Sequence, residues 1–119
     1  MKPIKPGALL FISFFLLHCS FAQSFQKQTI TVAGECGQCK KKIEKSALSA
    51  GAVYANWNEK TKQLAITYAP AKSNLLKIET AIAGAGYDTP DVQADDKAYN
   101  SLDQCCQYDR SSETSKLKK

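Results

Sequence analysis

The chain has 119 residues, and its 16 Lys and Arg residues against 11 Asp and Glu residues give a net charge of +5. A chain of this length accommodates one domain. The basic residues are mixed with acidic ones and lack interleaved aromatic residues, which is not the pattern of a nucleic-acid-binding surface. We therefore expect no nucleic acid among its partners.

Residues 1–22 have the pattern of an export signal. Lys2 and Lys5 precede an apolar run from Ala8 to Leu17, and Ser20 and Ala22 are the small residues that a signal peptidase inspects. The run is shorter than the roughly 20 residues that a membrane anchor needs. We expect cleavage near Ala22 and a periplasmic or secreted protein, with 14 basic and 11 acidic residues and a net charge of +3 after the loss of both lysines.

A lipoprotein signal is the alternative for this segment. Cys19 ends the sequence LLHC, which loosely resembles the box in which a cysteine is acylated and held at the membrane. The bulky His18 before it fits that box poorly, and the peptidase site at Ala22 fits better. We expect a membrane association only if Cys19 is lipidated.

The segments after the signal alternate between strand and helix patterns. Gln26–Val32 is rich in β-branched residues and predicts a strand. Cys39, Ile43, Ala47 and Ala50 recur at helical spacing, which predicts a helix that Gly51 ends. A hairpin follows, with Val53, Ala55 and Trp57 on one face of its first strand and Leu64, Ile66 and Tyr68 on one face of its second.

A second helix and a short strand complete the pattern. Ser73 is placed to cap a helix that carries Leu75, Ile78 and Ile82 at helical spacing. The segment after Gly86 offers only a short last strand, because Pro90 cannot donate a ladder hydrogen bond. The order predicts an α+β fold of the ferredoxin-like βαββαβ type, with two helices on one face of a four-stranded antiparallel sheet.

Two cysteines lie where the first loop meets the first helix. Cys36 and Cys39 are separated by two residues, and Lys40, Lys41 and Lys42 follow them. The positive end of the helix dipole stabilises thiolates at this place. A pair of sulfurs that converge on one point suits a soft ion such as Cu(I) or Hg(II), rather than Mg, Ca or Mn.

The chain resembles the heavy-metal-associated domain at this point. The sequence GECGQC at 34–39 and AIAGAGYDT at 81–89 are similar to the metal loop and to the end of the second helix of copper chaperones, copper-ATPase amino-terminal modules and the periplasmic mercury-binding protein. The resemblance covers about 26–92. It implies that Cys36 and Cys39 are metal ligands, and that the protein is a non-enzymatic carrier or scavenger of Cu(I) that hands its ion to a copper transporter or another metal-binding domain.

The chain departs from this family in its loop and in its tail. The family commonly has a Met that packs beneath the loop, whereas Met1 is the only one here and Ala33, Gly34 and Glu35 precede Cys36. We therefore expect a different support for the loop. Residues 93–110 form an extension that contains Cys105 and Cys106, and 111–119 have the composition of a disordered tail.

The adjacent cysteines of the extension have two interpretations. They could fold back and add thiolates to the Cys36–Cys39 pair, which would close a three- or four-coordinate site and with four sulfurs would also suit Zn(II). They could equally crosslink to Cys36, to Cys39 or to another chain in an oxidising compartment. Tyr99, Leu102 and Cys106 fall at helical spacing, and we expect Tyr99 and Tyr108 to pack the extension onto the sheet.

A thiol-disulfide redox protein is the rival functional class. Two cysteines at this spacing before a helix are also the thioredoxin motif, and Thr89–Pro90 could stand for its companion cis-proline. Thioredoxin needs a longer α/β body, and the order of elements predicted here differs from it. No histidine remains after the signal, since His18 is the only one.

Overall fold

The computed structural model describes residues 24–110, and the predicted export signal, Cys19 and the predicted disordered tail lie outside this range. Three strands form one antiparallel sheet: β1 (Gln26–Thr31), β2 (Ala52–Trp57) and β3 (Gln63–Tyr68). The strand order is β1-β3-β2, so β3 lies in the centre. Gln26 pairs with Tyr68 and Thr31 with Gln63, while Trp57 pairs with Leu64 on the other side of β3.

Two longer helices cover the buried face of this sheet: α1 (Gly37–Ser49) and α2 (Leu75–Gly84). The predicted stripe of α1 is confirmed, since Cys39, Ile43 and Ala47 are all fully buried. These side chains share one core with Leu64 and Ile66 of β3 and with Ile78 and Ile82 of α2. Periodic burial of apolar side chains is the main stabilising contribution in a domain of this size.

Two local details of the prediction differ from the structure. Val53 is exposed and Ala52 is buried, because a register irregularity between Ala52 and Tyr54 shifts the alternation at the start of β2. Asn74, not Ser73, caps α2, and its side chain accepts a hydrogen bond from the Lys77 N–H. The Ser73 hydroxyl instead donates to the Ala50 carbonyl at 2.6 Å, which ties the start of α2 to the end of α1.

The predicted fourth strand is not formed within 24–110. The chain turns tightly after Asp88 instead, because the Thr89 N–H donates to the Val92 carbonyl at 2.9 Å and the Thr89 hydroxyl donates to the same oxygen. Pro90 lies inside this turn and has no N–H to give to a sheet. The sheet therefore has three strands in the described part of the chain, and the α+β arrangement of sheet and helices is otherwise as predicted.

The extension folds back over the domain. It contains a short helix, α3 (Asp96–Asn100), and a 3-10 turn (Gln104–Cys106). Leu102, Cys106 and Tyr108 are buried and belong to the same core as the helices and the sheet. Among residues 24–110 there is no helix with the length and apolar content needed to cross a bilayer.

Candidate metal site

Cys36 and Cys39 lie together where the loop after β1 becomes α1. Cys36 is the N-cap residue, with an extended backbone, and Cys39 begins the buried stripe of the helix. Their sulfur atoms are 3.6 Å apart. The sequence prediction that the two thiols face a common point is therefore supported by their geometry.

Cys106 brings a third thiol to the same place. Its sulfur is 3.8 Å from that of Cys36, although the two residues are 70 positions apart in the sequence. The sulfurs of Cys36, Cys39 and Cys106 all lie within 4.8 Å of one another, and this is a group of potential metal ligands among residues 24–110. Cys39 and Cys106 are fully buried, and Cys36 is partly exposed.

Cys105 differs from its neighbour in sequence. Its side chain is exposed and donates a hydrogen bond to the Gln38 side-chain carbonyl at 3.1 Å. Its sulfur is 4.0 Å from that of Cys106, but Cys105 is not part of the three-thiol group. All four of these cysteines are free thiols in the structure.

The start of the helix makes the Cys36 thiol more acidic than the thiols of Cys105 and Cys106. The pKa of Cys36 is lowered from 9.0 to about 7, chiefly because the backbone N–H of Cys39 stabilises the thiolate, while desolvation opposes this and the Gln38 N–H adds to it. Cys36 makes no side-chain capping hydrogen bond of ordinary geometry, so we attribute the effect to the electrostatic field of these N–H groups.

Desolvation has the opposite effect on the thiols of the extension. Desolvation raises the pKa of Cys106 to about 12, and the neighbouring Cys39 thiol contributes to this. The pKa of Cys105 is also raised, mainly by desolvation and then by Cys36. A metal ion that binds Cys106 must therefore displace its proton, which a soft ion does readily at a thiol.

Tyr87 borders the buried side of the three thiols, and the sequence analysis did not single it out as a site residue. Its hydroxyl is buried without a hydrogen-bond partner among the described residues. The pKa of Tyr87 is raised, first by burial and then by the adjacent thiols of Cys39 and Cys106. The phenol therefore stays neutral and presents a polar atom, rather than a charge, to the sulfurs.

Trp57 supports the loop that carries Cys36. Its indole N–H donates to the Val32 carbonyl at 3.0 Å, and its ring is fully buried. A Cβ atom added at Gly34 would lie 2.8 Å from the Trp57 ring and 3.1 Å from Ile43. The loop thus lies directly on the Trp57 ring, which is a support other than a methionine, as expected from the sequence.

The lysines after Cys39 are engaged in other contacts. The Lys40 amine donates to Glu44 at 2.6 Å and to the Trp57 carbonyl at 2.9 Å, which joins α1 to the end of β2. Lys42 faces Asp103 of the extension at 3.6 Å. Lys40 therefore ties α1 to the sheet, and Lys42 forms an ion pair that links α1 to the extension.

Comparisons with known proteins support a likeness of structure. No family model matches the chain, and no curated protein matches it either. The solved structure of the CopZ metallochaperone is similar, with 27% identity, a TM-score of 0.51 and coverage of 54% of this chain and 98% of that one. Oxidized MerP from Ralstonia metallidurans CH34 has 28% identity, a TM-score of 0.53 and coverage of 56% of this chain and 94% of that one.

CopA from Bacillus subtilis is similar in two structures. The water-soluble region of this P-type ATPase has 27% identity and a TM-score of 0.53, and the match covers 58% of this chain and 47% of that one. A copper form of a CopA variant has 27% identity and a TM-score of 0.50, and covers 58% of this chain and 93% of that one. All four matches leave about two fifths of this chain without a counterpart. The predicted signal, the extension and the predicted tail together make up a similar share of its length.

Proposed function

We propose that this chain, which has the fold of the heavy-metal-associated domain proteins, binds a soft metal ion through the thiolates of Cys36 and Cys39. The observation that carries the proposal is the 3.6 Å separation of their sulfurs at the start of α1. The pKa of Cys36, lowered to about 7, supplies one thiolate near neutral pH without help from a base. No enzymatic step is needed for this task.

Copper(I) is the ion that these residues suit best. Thiolate sulfur prefers soft ions, and the similarity to the CopZ metallochaperone and to a copper form of CopA supports the same choice. Hg(II) has the same preference for sulfur and is the second candidate. Zn(II) favours four ligands, and the fourth thiol, Cys105, points to Gln38 and lies outside the group.

An anaerobic titration of the reduced protein tests this proposal. We expect Cu(I) to bind with submicromolar affinity in competition with a chromophoric chelator, and to do so more tightly than Zn(II). Cys36→Ser and Cys39→Ser should each abolish this binding, while Cys105→Ser is the matched control that retains it. Submicromolar binding that survives both Cys36→Ser and Cys39→Ser would refute the assignment.

Thiol-disulfide exchange is the competing function, and the lowered pKa of Cys36 is the observation that favours it. The order of elements and the turn that holds Thr89–Pro90, whose peptide bond is trans, differ from the thioredoxin pattern considered above. We expect no catalysed reduction of insulin by the dithiol form. Catalytic reduction at a rate comparable with that of a thioredoxin would make redox chemistry the primary function.

The place of action and the partner are proposals from the sequence and from the comparisons. The export pattern of residues 1–22 supports a periplasmic or secreted carrier or scavenger, with membrane attachment only if Cys19 is lipidated. The similarity to the soluble region of a P-type ATPase supports an exchange of the ion with a copper transporter or with another metal-binding domain.

A further inference from the structure

Resting on the soft-metal binding proposed above, we propose that Cys106 is a third ligand of the ion, and that residues 93–110 form a closure that must be displaced before the ion is transferred. Residues 93–110 follow the predicted domain of 26–92. By folding back, they convert an open pair of thiols into a closed site.

The contrast between two adjacent cysteines is the first argument. Cys106 is fully buried and its sulfur lies 3.8 Å from that of Cys36, whereas Cys105 is exposed and binds Gln38. The 3-10 turn at Gln104–Cys106 sets the two side chains apart, and the Cys106 N–H donates to the Asp103 carbonyl at 2.8 Å. The backbone therefore places the Cys106 thiol inside the three-thiol group and leaves the Cys105 thiol exposed against Gln38, with its sulfur 4.0 Å from that of Cys106.

The sulfur separations are the second argument. With a metal–sulfur bond of about 2.3 Å, two sulfurs are about 4.6 Å apart in a linear complex and about 4.0 Å apart in a planar three-coordinate one. The Cys36 sulfur is 3.6 Å from Cys39 and 3.8 Å from Cys106. Both distances are well below the linear value and lie close to those of a three-coordinate site and of a tetrahedral one, in which sulfurs are about 3.8 Å apart. Because three thiols lie within 4.8 Å of one another, small side-chain rotations would bring all three onto one ion.

The attachment of the extension is the third argument. The Tyr108 hydroxyl donates to the Gly86 carbonyl and accepts from the Asp88 N–H, both at 2.9 Å, in a fully buried position. Arg110 forms a bidentate salt bridge with the buried Asp88 carboxylate, with N···O distances of 2.9 and 3.2 Å. Charge-assisted and buried hydrogen bonds of this kind are the strong ones, and they hold Cys106 from its C-terminal side.

Glycine makes room for this attachment at the end of α2. Gly86 has a φ of +110°, and a Cβ atom there would lie 2.9 Å from the Ala98 carbonyl and 2.9 Å from Leu102. The extension thus packs directly on the backbone of the turn that precedes Tyr87. Lys42 and Asp103 add an exposed ion pair between α1 and the same segment.

Transfer of the ion follows from this geometry. Cys39 and Cys106 are fully buried, so an acceptor thiolate meets the partly exposed Cys36 side of the site first. The acceptor thiol loses its proton to the solvent as its sulfur bonds to the ion, the bond between the ion and Cys106 breaks, and the Cys106 sulfur takes up a proton from the solvent in return. The same exchange at Cys39 and Cys36, with further acceptor sulfur, releases the ion. The oxidation state of the ion does not change, and the extension determines how fast this exchange occurs.

The first experiment compares Cys106→Ser with Cys105→Ser in the full mature chain loaded with Cu(I). X-ray absorption should give three sulfur ligands for the wild type and Cys105→Ser, and two for Cys106→Ser. The affinity should fall at least tenfold in Cys106→Ser only, and its transfer to a dithiol chelator should be at least tenfold faster. Three sulfurs in Cys106→Ser, or the same behaviour in both variants, would overturn the third ligand.

The second experiment tests the closure without removing a sulfur. Tyr108→Phe removes only the hydroxyl that contacts Gly86 and Asp88, and circular dichroism checks that the variant is folded. We expect three sulfur ligands and a severalfold faster transfer, with Tyr54→Phe, an exposed residue of β2, as the matched control. A transfer rate equal to that of the wild type would overturn the closure. Failure of the wild type to bind Cu(I) would instead refute the proposed function.

Discussion

At the scale of single residues, Cys36 combines exposure and acidity in a way that no other described cysteine does. A thiol with a pKa of about 7 is about half thiolate at pH 7, against about 1% for a pKa of 9.0, while its lower intrinsic nucleophilicity removes part of that advantage. Cys105 is more exposed, but its pKa is raised. Exposure alone therefore predicts that an alkylating reagent modifies Cys105 first, whereas the thiolate fraction predicts Cys36.

We expect iodoacetamide at pH 7 to modify Cys36 about fivefold faster than Cys105 in the metal-free, reduced protein. The rate at Cys36 should rise with pH around a midpoint near 7, and peptide mass spectrometry resolves the two sites. Urea-unfolded protein is the control in which the preference disappears. Faster modification of Cys105 in the folded protein would show that exposure, and not the field of the helix start, controls reactivity.

Glu79 is a buried carboxyl group that makes stability depend on pH. Burial raises its pKa to about 7, and the nearby Asp91 carboxylate contributes to this, while one of its oxygens accepts the Asp91 N–H at 3.2 Å. The folded state therefore holds the proton more tightly than the unfolded state. The stabilisation is complete below pH 4.5 and is lost as the pH rises through about 7.

Glu79→Gln should remove this part of the pH dependence. We expect the free energy of unfolding of the wild type to fall by about 1–3 kcal/mol more than that of Glu79→Gln between pH 5 and pH 8. Urea unfolding of metal-free protein at four pH values measures this difference between the two proteins. Cys36 titrates in both of them, so its contribution cancels. Glu59→Gln, an exposed glutamate, is the control. Parallel pH profiles for the wild type and Glu79→Gln would contradict the assignment.

At the scale of elements, the metal loop is held by the end of β2. Gly34 is buried against the rigid ring of Trp57, and a Cβ atom there would come within 2.8 Å of it. We expect Gly34→Ala to destabilise the fold by about 1–3 kcal/mol, as overpacking of a filled core does. It should also weaken Cu(I) binding, because the loop that carries Cys36 must move away from Trp57.

Thermal unfolding and the Cu(I) competition titration measure the two effects of Gly34→Ala. Gly37→Ala, at the first residue of α1, is the matched control, since nothing lies within 4 Å of a Cβ atom at that position. Equal stability and affinity in the two variants would contradict the proposed support of the loop. A loss of affinity without a loss of stability would show that the loop moves while the core does not.

The elements with a periodic pattern were predictable, and those held by distant contacts were not. Cys39, Ile43 and Ala47 repeat with the period of a helix, and the two-residue spacing of Cys36 and Cys39 identified the thiol pair. The turn at Thr89–Val92 replaced a predicted strand, and only Pro90 indicated this. The path of the extension depends on the contacts of Tyr108 and Arg110 with Asp88, 20 and 22 residues away, which no local pattern encodes.

At the scale of the whole molecule, an ion at three sulfurs would join the beginning of the domain to its end. Cys36 and Cys39 are three positions apart, so the pair can hold Cu(I) in an unfolded chain as well as in a folded one. An ion that binds both states alike does not change the free energy of unfolding. A bond to Cys106, 70 residues from Cys36, exists only when the extension is folded onto the domain.

Loading with Cu(I) should therefore stabilise the wild type and Cys105→Ser by about 1–3 kcal/mol more than Cys106→Ser, because only the first two gain a bond that unfolding breaks. Anaerobic urea unfolding of the loaded and metal-free forms measures this gain in each protein, and the metal-free values correct for any direct effect of the substitutions. An equal gain in all three proteins would show that the ion is held by the Cys36–Cys39 pair alone, with the extension as a structural cover.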